Sequence, residues 1–506
     1  MIERRHPISD KGVQLVANLT SSSRSAADID ADAVVIVVAK DGDGAALTSG
    51  HGLSRRTVNH LKAVISELEL KARPGEVTTL AAVPEVKAPR VVLTGAGELN
   101  GRPDAATREN VRQAVGAAVR GLDAKQKVAV VVPGGSTDLV AAVAEGAALG
   151  AYTPPKAGTA KTEPAQTVTV LGPTDGPARK AVKRAAAIGT AVAYARDLVN
   201  QPPNLLYPES FVASLTERVK GTKVKLKSLD LKQLRAGGFG GIVGVGQGSV
   251  NEPRIAVLTY APSRPKATLA FVGKGITFDS GGLCLKPPAS MGTMKSDMAG
   301  AAAVAAAVLA IAELGLPVAV TGYLGIAENM PSGSAQRPSD VVTMRGGKTV
   351  EILDTDAEGR MVLADCIALA AESGPEAIVD IATLTGAQVI ALADTAAVMG
   401  NNDGFRGRVV DTADVVGEAA WPMPLPAELR PALDSQNADI AHKGGREGGM
   451  LTAGLFLGEF VPEGTDWSHI DIAGPSFNEK APRGYTPKGG TGFGVRTLVG
   501  LAESYL

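Results

Sequence analysis

Continuous runs of apolar, largely β-branched residues recur along this chain, separated by Ala-rich stretches with helical spacing, and this alternation most limits what it can fold into. The runs occupy residues 33–38, 91–93, 128–132, 167–171, 255–259, 268–272, 318–324 and 377–381. A strand that is apolar at every position is buried on both faces, which requires helices above and below a largely parallel sheet. The expected class is therefore α/β, and no fixed-period repeat points to a solenoid or propeller instead. Aromatic residues make up only 4% of the 506, so the core is built from Ala, Val, Leu and Ile, which suits close packing of helices on sheet.

The pattern breaks at residues 152–166, YTPPKAGTAKTEPAQ, whose Pro, Thr and Lys content reads as a linker or exposed excursion. One more strand follows, and then an Ala-rich helical stretch, 178–198, which runs into Asn200, Pro202 and Pro203 and is expected to join two domains. The division expected is an N-terminal α/β domain over 1–175, related to oligomerisation, and a chemistry-bearing domain over 176–506. Lys and Arg number 51 against 52 Asp and Glu, so no net basic field favours nucleic acid or anionic lipid. The N-terminal MIERRHPISDKGVQL lacks the apolar stretch of a secretory signal, and its basic residues are mixed with acidic ones; a cytoplasmic location is expected. The longest apolar stretch, 298–312, has 15 residues, short of the roughly 20 that span a bilayer, and is expected to be a buried helix.

With 2 Cys and 5 His in the whole chain, neither a disulfide framework nor a zinc site of clustered Cys and His can be built. Any bound metal must be held mainly by carboxylates. Three segments supply them. The first, FVGKGITFDSGGLCLK at 271–286, follows an apolar strand and reads as a loop at its carboxyl end, where open α/β sheets bind ligands. Gly273, Gly275, Gly281 and Gly282 permit positive φ and close approach there, gathering Lys274, Asp279 and Lys286. The second holds Asp297, ahead of the Ala-rich helix, where an Asp ordinarily caps the helix N-terminus. In the third, DTDAEGR at 354–360, Asp354, Asp356 and Glu358 alternate, so an extended chain would place all three on one face, with Gly359 and Arg360 supplying a turn and a cation. Together Asp279, Asp297, Asp356 and Glu358 provide oxygens for two divalent ions about 3.5–4 Å apart, a hydrolytic arrangement that leaves Lys286 and Arg360 for negative charge. No HExxH and no i, i+4 His pair occurs, which excludes the common zinc-protease pattern.

VGKGITFDSGG (272–282), KSDMAGAAAV (295–304), DTDAEGRMVLAD (354–365) and ATLTGA (382–387) closely resemble the signature segments of leucyl aminopeptidases, a family of cytosolic exopeptidases. DLVNQPPN (197–204), GVGQGS (244–249), WSHIDIAGP (467–475) and TGFGVRTLV (491–499) match in the same order, so the resemblance covers roughly residues 190–506. It implies a macro-like N-terminal α/β domain and a larger catalytic domain with a mixed central sheet flanked by helices. It also implies that Asp279 and Glu358 bridge two ions, that Asp356 completes one site, and that Lys274 as a neutral amine completes the other with Asp297. The ions would be Mn²⁺ or Zn²⁺, with Mg²⁺ also permitted by the donor set. By the same resemblance Lys286 holds the substrate carbonyl oxygen and Arg360 binds a bicarbonate acting as general base. Met294, Thr383, Leu384, Gly386 and Ala473 fall at substrate-binding positions, implying broad, Leu-like preference for peptides with a free N-terminus. The family assembles as homohexamers. Two departures stand out: Asp354 replaces the usual Asn, adding a negative charge beside the metals, and Ser476 replaces a larger apolar residue found in some members.

Two other readings compete. Asp279-Ser-Gly-Gly resembles the nucleophile segment of trypsin-like serine proteases, but lacks their preceding Gly and sits in an α/β chain without their disulfides. TGAGELNG at 94–101 follows a strand, yet its spacing is GxGxxxG rather than the dinucleotide-binding GxGxxG, and it and the Gly cluster at 237–248 read as tight turns. A second, nucleic-acid-binding role is disfavoured by the balanced charge.

Overall fold

The computed structural model describes residues 17–99, 103–124, 126–154 and 167–506. The N-terminal stretch read above for a leader, most of the 152–166 linker and the Asn100–Gly101 end of the glycine pattern lie outside the described residues. Among the described residues, internal contacts divide the chain into one unit running up to Ala193 with Asn478–Lys488, and another of Tyr194–Phe477 with Gly489–Leu506. The division falls within the long helix Gly176–Asn200.

The first unit holds a seven-stranded sheet: β1 (Asn18–Ser22), β2 (Ala33–Asp41), β3 (Gly44–Leu47), β4 (Val77–Ala81), β5 (Arg90–Gly95), β6 (Lys127–Val131) and β7 (Thr167–Leu171). Its order is β1-β7-β6-β2-β5-β4, with β3 paired to β2, and the pairs from β1 to β5 along this path are parallel. Val35 and Val37 face a core shared with helices Ala105–Arg120 and Thr137–Gly150, while Val34, Ile36 and Val38 face one shared with Arg55–Glu67. Burial on both faces is why the sequence here runs apolar without alternation. Gly95 belongs to a close chain crossing, since a Cβ there would lie 2.4 Å from the Arg73 carbonyl oxygen. This accounts for a glycine of the GxGxxxG pattern by packing.

The second unit is built on an eight-stranded sheet. In chain order its strands are β8 (Lys225–Leu229), β9 (Arg254–Tyr260), β10 (Thr268–Asp279) and β11 (Ala319–Asn329); then, after the small-sheet strands β12 (Val341–Thr343) and β13 (Thr349–Glu351), come β14 (Ala377–Ala382), β15 (Ala396–Gly400) and β16 (Ala420–Pro422). The short β17 (Ile440–Ala441) joins the small sheet, and β18 (Asp466–Asp471) completes the large one in the order β16-β15-β18-β14-β10-β11-β9-β8. Its centre, β18-β14-β10-β11, is parallel, whereas β8, β9 and β15 join antiparallel. Residues 255–259, read as parallel from their apolar run, thus belong to an antiparallel strand toward the sheet's edge. The sheet is mixed.

The Ala-rich helix Ala299–Leu314 crosses one face of β10, buried from Ala299 through Ala312 and ended by Gly315 in the left-handed conformation. The apolar stretch including its preceding turn is 21 residues long, enough by length and composition to cross a membrane, but 89% of its most apolar 18-residue window is buried within the protein. It is a core helix. Only small residues allow its approach: a Cβ on Gly300 would lie 2.1 Å from the Ile381 carbonyl oxygen, and one on Gly273 2.6 Å from Ala301 Cα. The opposite face carries Gly359–Ala371, Gly240–Gly246 and Gly449–Gly458, packed through Met361, Val362, Ile242 and Phe456 onto Val272 and Ile378. Replacing Gly300 by Ala is expected to destabilise the chain by about 1–3 kcal/mol through overpacking. An unchanged urea midpoint would contradict this account of the helix–sheet contact.

Candidate metal centre

The parallel strands β10, β11, β14 and β18 end together, and the chemistry sits at their carboxyl edge. Strand β10 continues to Asp279, past the point where the sequence suggested a loop, and its pairing with β11 is irregular between Ile276 and Asp279. Lys274 is therefore a strand residue. Gly273 and Gly275 serve close packing, and only Gly281 and Gly282 take positive φ, at 89° and 65°. These two turn the chain so that Lys286 folds back over Asp279, its amide donating to the Ser280 carbonyl oxygen.

Asp297 does not cap the Ala-rich helix. That helix begins at Ala299, and Asp297 closes the short turn Met294–Ser296 before it. Its carboxylate instead points inward, where Oδ1 accepts from Thr383 Oγ1 at 2.7 Å and lies 2.8 Å from Lys274 Nζ. Nor is 354–358 extended: residues 355 and 356 form a turn, with Asp356 N–H donating to Asp354 Oδ1 at 3.0 Å. The turn still brings Asp356 and Glu358 to Asp279, one oxygen of each lying within 4.8 Å of the others. Gly359 opens the following helix rather than making a turn. A Cβ there would stand 2.5 Å from Lys274 Cε, so the glycine admits the lysine.

Two ammonium groups hold this cluster. Lys274 Nζ donates to the Thr383 carbonyl oxygen at 2.8 Å and lies 2.8 Å from both Asp297 Oδ1 and Glu358 Oε1, the latter without hydrogen-bond alignment. Lys286 Nζ lies 2.8 Å from Asp279 Oδ2 and 2.6 Å from Asp356 Oδ1. Burial is the largest influence on each lysine and opposes its charge, but the surrounding carboxylates outweigh it and raise both pKa values. Burial, with Glu358 close by, pushes Asp279 up to about 6, and burial raises Asp297 well above its ordinary value. Glu358 is also opposed by burial, yet Lys274 and Lys286 hold it below the ordinary carboxylate value. Even so, Asp297 Oδ2 and Glu358 Oε2 are buried without a hydrogen-bond partner. Unpartnered buried carboxylate oxygens are costly, and their convergence on an all-oxygen cluster fits divalent cations.

Four residues that the sequence reading did not single out hold these groups in place. Asn329, at the end of β11, donates from Nδ2 to Asp279 Oδ1 at 2.9 Å and to the Thr355 carbonyl oxygen at 3.0 Å, tying two acid-bearing segments together. Asp279 Oδ1 also accepts from Gly281 N–H, which leaves Oδ2 as the oxygen directed into the cluster. Asp471, at the end of β18, accepts from Leu384 N–H, Thr385 Oγ1 and Ala473 N–H, fixing segments that carry proposed substrate contacts. His442 accepts Leu353 N–H at Nδ1 and donates from Nε2 to the Asp354 carbonyl oxygen at 2.8 Å. Its own carbonyl oxygen receives Arg360 Nη1 at 3.0 Å. Lys443 pairs with Asp354 Oδ2, so the added charge that the sequence placed beside the metals is compensated. Apart from the i, i+2 bonds from Gly281 and Ala473, these pairings have no local sequence pattern: Asn329 reaches Asp279 across 50 positions and His442 reaches Asp354 across 88.

Arg360 is buried, with its Nε unpartnered, and burial lowers it to about 10, so it remains a cation at neutral pH. Thr383 is buried, Met294, Leu384 and Ala473 are half-buried, and Gly386 is exposed. A separate apolar recess of about 340 Å³, lined by Phe278, Pro288 and Met291, includes none of them. Ser280 spends its hydroxyl hydrogen on the Asn329 carbonyl oxygen at 2.7 Å, and no described histidine bonds to it, which removes the activated serine that a serine hydrolase requires.

Residues 193–499 match the cytosol aminopeptidase family, catalytic domain, and residues 34–161 its N-terminal domain. The chain belongs to the cytosol aminopeptidase family. Probable cytosol aminopeptidases of Streptomyces griseus and Micrococcus luteus are 51% and 47% identical to it, each alignment covering 96% of this chain and 98% of the relative. Among solved structures it is similar to the bottromycin maturation enzyme BotP in complex with Mn, with TM-score 0.82 and 36% identity over 94% of this chain and 99% of that one. Membership makes this chain a metal-dependent peptidase of the aminopeptidase type.

His442 also ties the chain's stability to pH. Burial, helped by Arg360, lowers its ring from 6.5 to about 4. Between those values the unfolded chain takes up the proton first, so this contribution is whole above the ordinary value and lost as pH falls toward the folded one, by about 3 kcal/mol. His442→Asn should therefore lose less stability than wild type between about pH 7 and about pH 4.5 in urea unfolding; parallel losses would contradict the neutral, buried ring.

Proposed function

We propose that this chain is a two-metal leucyl aminopeptidase that removes N-terminal, Leu-like residues from peptides. The observation that carries the reading is the meeting of Asp279, Asp356 and Glu358 within 4.8 Å, beside Asp297 and Lys274, with carboxylate oxygens left unpartnered. Asp279, Asp356 and Glu358, with Asp297 and Lys274 beside them, would hold the ions. Mn²⁺ is the first choice, since BotP is described with Mn, and the oxygen-rich donor set also accommodates Zn²⁺ or Mg²⁺. When bound, two such ions supply Lewis acidity, lowering the pKa of a shared water and polarising the scissile carbonyl.

The chain's own residues supply the rest. Burial is the strongest influence on Lys274 and works toward its neutral form; only its carboxylate neighbours keep the proton on. With those carboxylates serving cations, burial would favour the neutral form, in which Nζ could act as a donor. Lys286 lies at the more open side of the cluster and stays an ammonium, placed to hold the carbonyl oxygen as negative charge develops there. Arg360, cationic and with Nε unpartnered, suits a bicarbonate that takes the proton of the attacking water. Met294, Thr383, Leu384, Gly386 and Ala473 would contact the N-terminal side chain, and the small Ser476 behind Ala473 favours a roomy, unselective pocket. Cytoplasmic residence and assembly as a homohexamer are proposed from the family resemblance.

Asp279→Ala and Glu358→Ala should each abolish hydrolysis of Leu-amide substrates, as should chelation reversed by added Mn²⁺; near-wild-type turnover in either variant would sink the two-metal reading. Lys286→Ala should lower kcat by about 10²–10³ while leaving metal content unchanged, and loss of metal in that variant would assign Lys286 a different role. A panel of free and N-acetylated Leu peptides should show cleavage of the free ones alone. Equal cleavage of both would make the enzyme something other than an aminopeptidase.

A further inference from the structure

Asp354 is an acid beside the cluster that the two-ion reading leaves without a task, yet both its oxygens are engaged. Oδ1 accepts Asp356 N–H at 3.0 Å, so the carboxylate closes the turn that delivers Asp356 to the cluster. Oδ2 is paired with Lys443, which arrives from 89 positions away, just after β17. The neighbouring His442 grips the same segment through its backbone, at Leu353 N–H and at the Asp354 carbonyl oxygen. Residues 442 and 443 thus hold the start of the acidic turn by main chain and side chain at once.

An Asn at 354 would also accept the Asp356 N–H, without bringing a charge. Beyond a stronger, charge-assisted bond to that N–H, the carboxylate adds a negative charge near the ions. Lys443 answers that charge on the spot. The Lys443 side chain stands in direct contact with Asp354 Oδ2, a carboxylate–ammonium ion pair.

We propose that Asp354 and Lys443 form a charge-compensated positioning pair: Asp354 orients the turn bearing Asp356, and Lys443 cancels the charge that Asp354 would otherwise impose on the metal centre. Asp354 is then a positioning residue rather than a metal ligand. The inference rests on the two-ion reading above. It predicts effects of opposite sign for the two halves of the pair. Removing Lys443 leaves an extra negative charge and tightens cation binding. Removing the charge of Asp354 leaves an unpaired ammonium and weakens it. Because Lys443 is 42% exposed, solvent screens both effects to about three- to tenfold.

The test is calorimetric titration of Mn²⁺ into the metal-free full-length chain and its Lys443→Met, Asp354→Asn and doubly substituted forms, at low and high salt. Lys443→Gln provides a polar control, and circular dichroism checks the folding of each. The expected result is tighter binding for both Lys443 variants, weaker binding for Asp354→Asn, and a double variant within about twofold of wild type, with the single-variant shifts shrinking in high salt. Loss of one bound ion in Asp354→Asn, not restored in the double variant, would make Asp354 a ligand and overturn the proposal. Shifts of the same sign in the single variants would overturn it as a structural effect. A wild-type chain that binds no Mn²⁺ would remove the two-ion reading and the pairing together, whereas two bound ions with same-sign shifts would remove the pairing alone.

Discussion

Charge balance in a buried space governs the catalytic unit. Asp279, Asp297, Asp356 and Glu358 meet at the end of β10, and Lys274 and Lys286 are the ammonium groups that touch them. Four carboxylates against two ammoniums leave the cluster short of positive charge, and two of its carboxylate oxygens have no partner. Isolated buried carboxylates take up protons or attract cations, and the upward shifts of Asp279 and Asp297 register that demand. Divalent ions meet it directly. The same ions would draw the carboxylates away from Lys274, whose burial would then favour the neutral amine, and in the proposed two-ion state the two lysines would differ in protonation because their surroundings differ.

The fold serves this balance by bringing distant segments to one edge. The parallel strands deliver Asp279, Asn329, Thr383 and Asp471 side by side, and small residues let the elements above and below come close enough to complete the site. Gly300 allows the helix that follows Asp297 to lie against β14, and Gly359 allows Lys274 to pass beneath the helix that follows Glu358. A glycine-rich, Ala-rich composition is thus a condition for the chemistry as well as for packing.

Much of this was legible in the sequence because it is local. Apolar runs mark strands buried on both faces, and the acidic and lysine-bearing segments follow them closely enough to indicate a site at the sheet's carboxyl edge. The edge strands were less legible: β8 and β16 are short and partly exposed, so they lack the continuous apolar signal. An Asp just ahead of a helix suits a cap as well as an inward-facing ligand, and the Lys274 and Thr383 contacts separate the two roles for Asp297. Asn329, His442, Lys443 and Asp471 were not recognised as supports because each acts on a partner dozens of positions away, where a single sequence carries no pairing information. The charge attributed to Asp354 is a case in point: its consequence changes once Lys443 is seen beside it.

The central claim is that this acidic cluster is completed by two cations. The most direct measurement is the manganese content per chain after equilibrium dialysis of the metal-free protein against Mn²⁺ and removal of unbound ion. The account predicts two ions per wild-type chain, close enough together for magnetic coupling to be detected by electron paramagnetic resonance. One ion per chain, or two that behave as isolated centres, would contradict it.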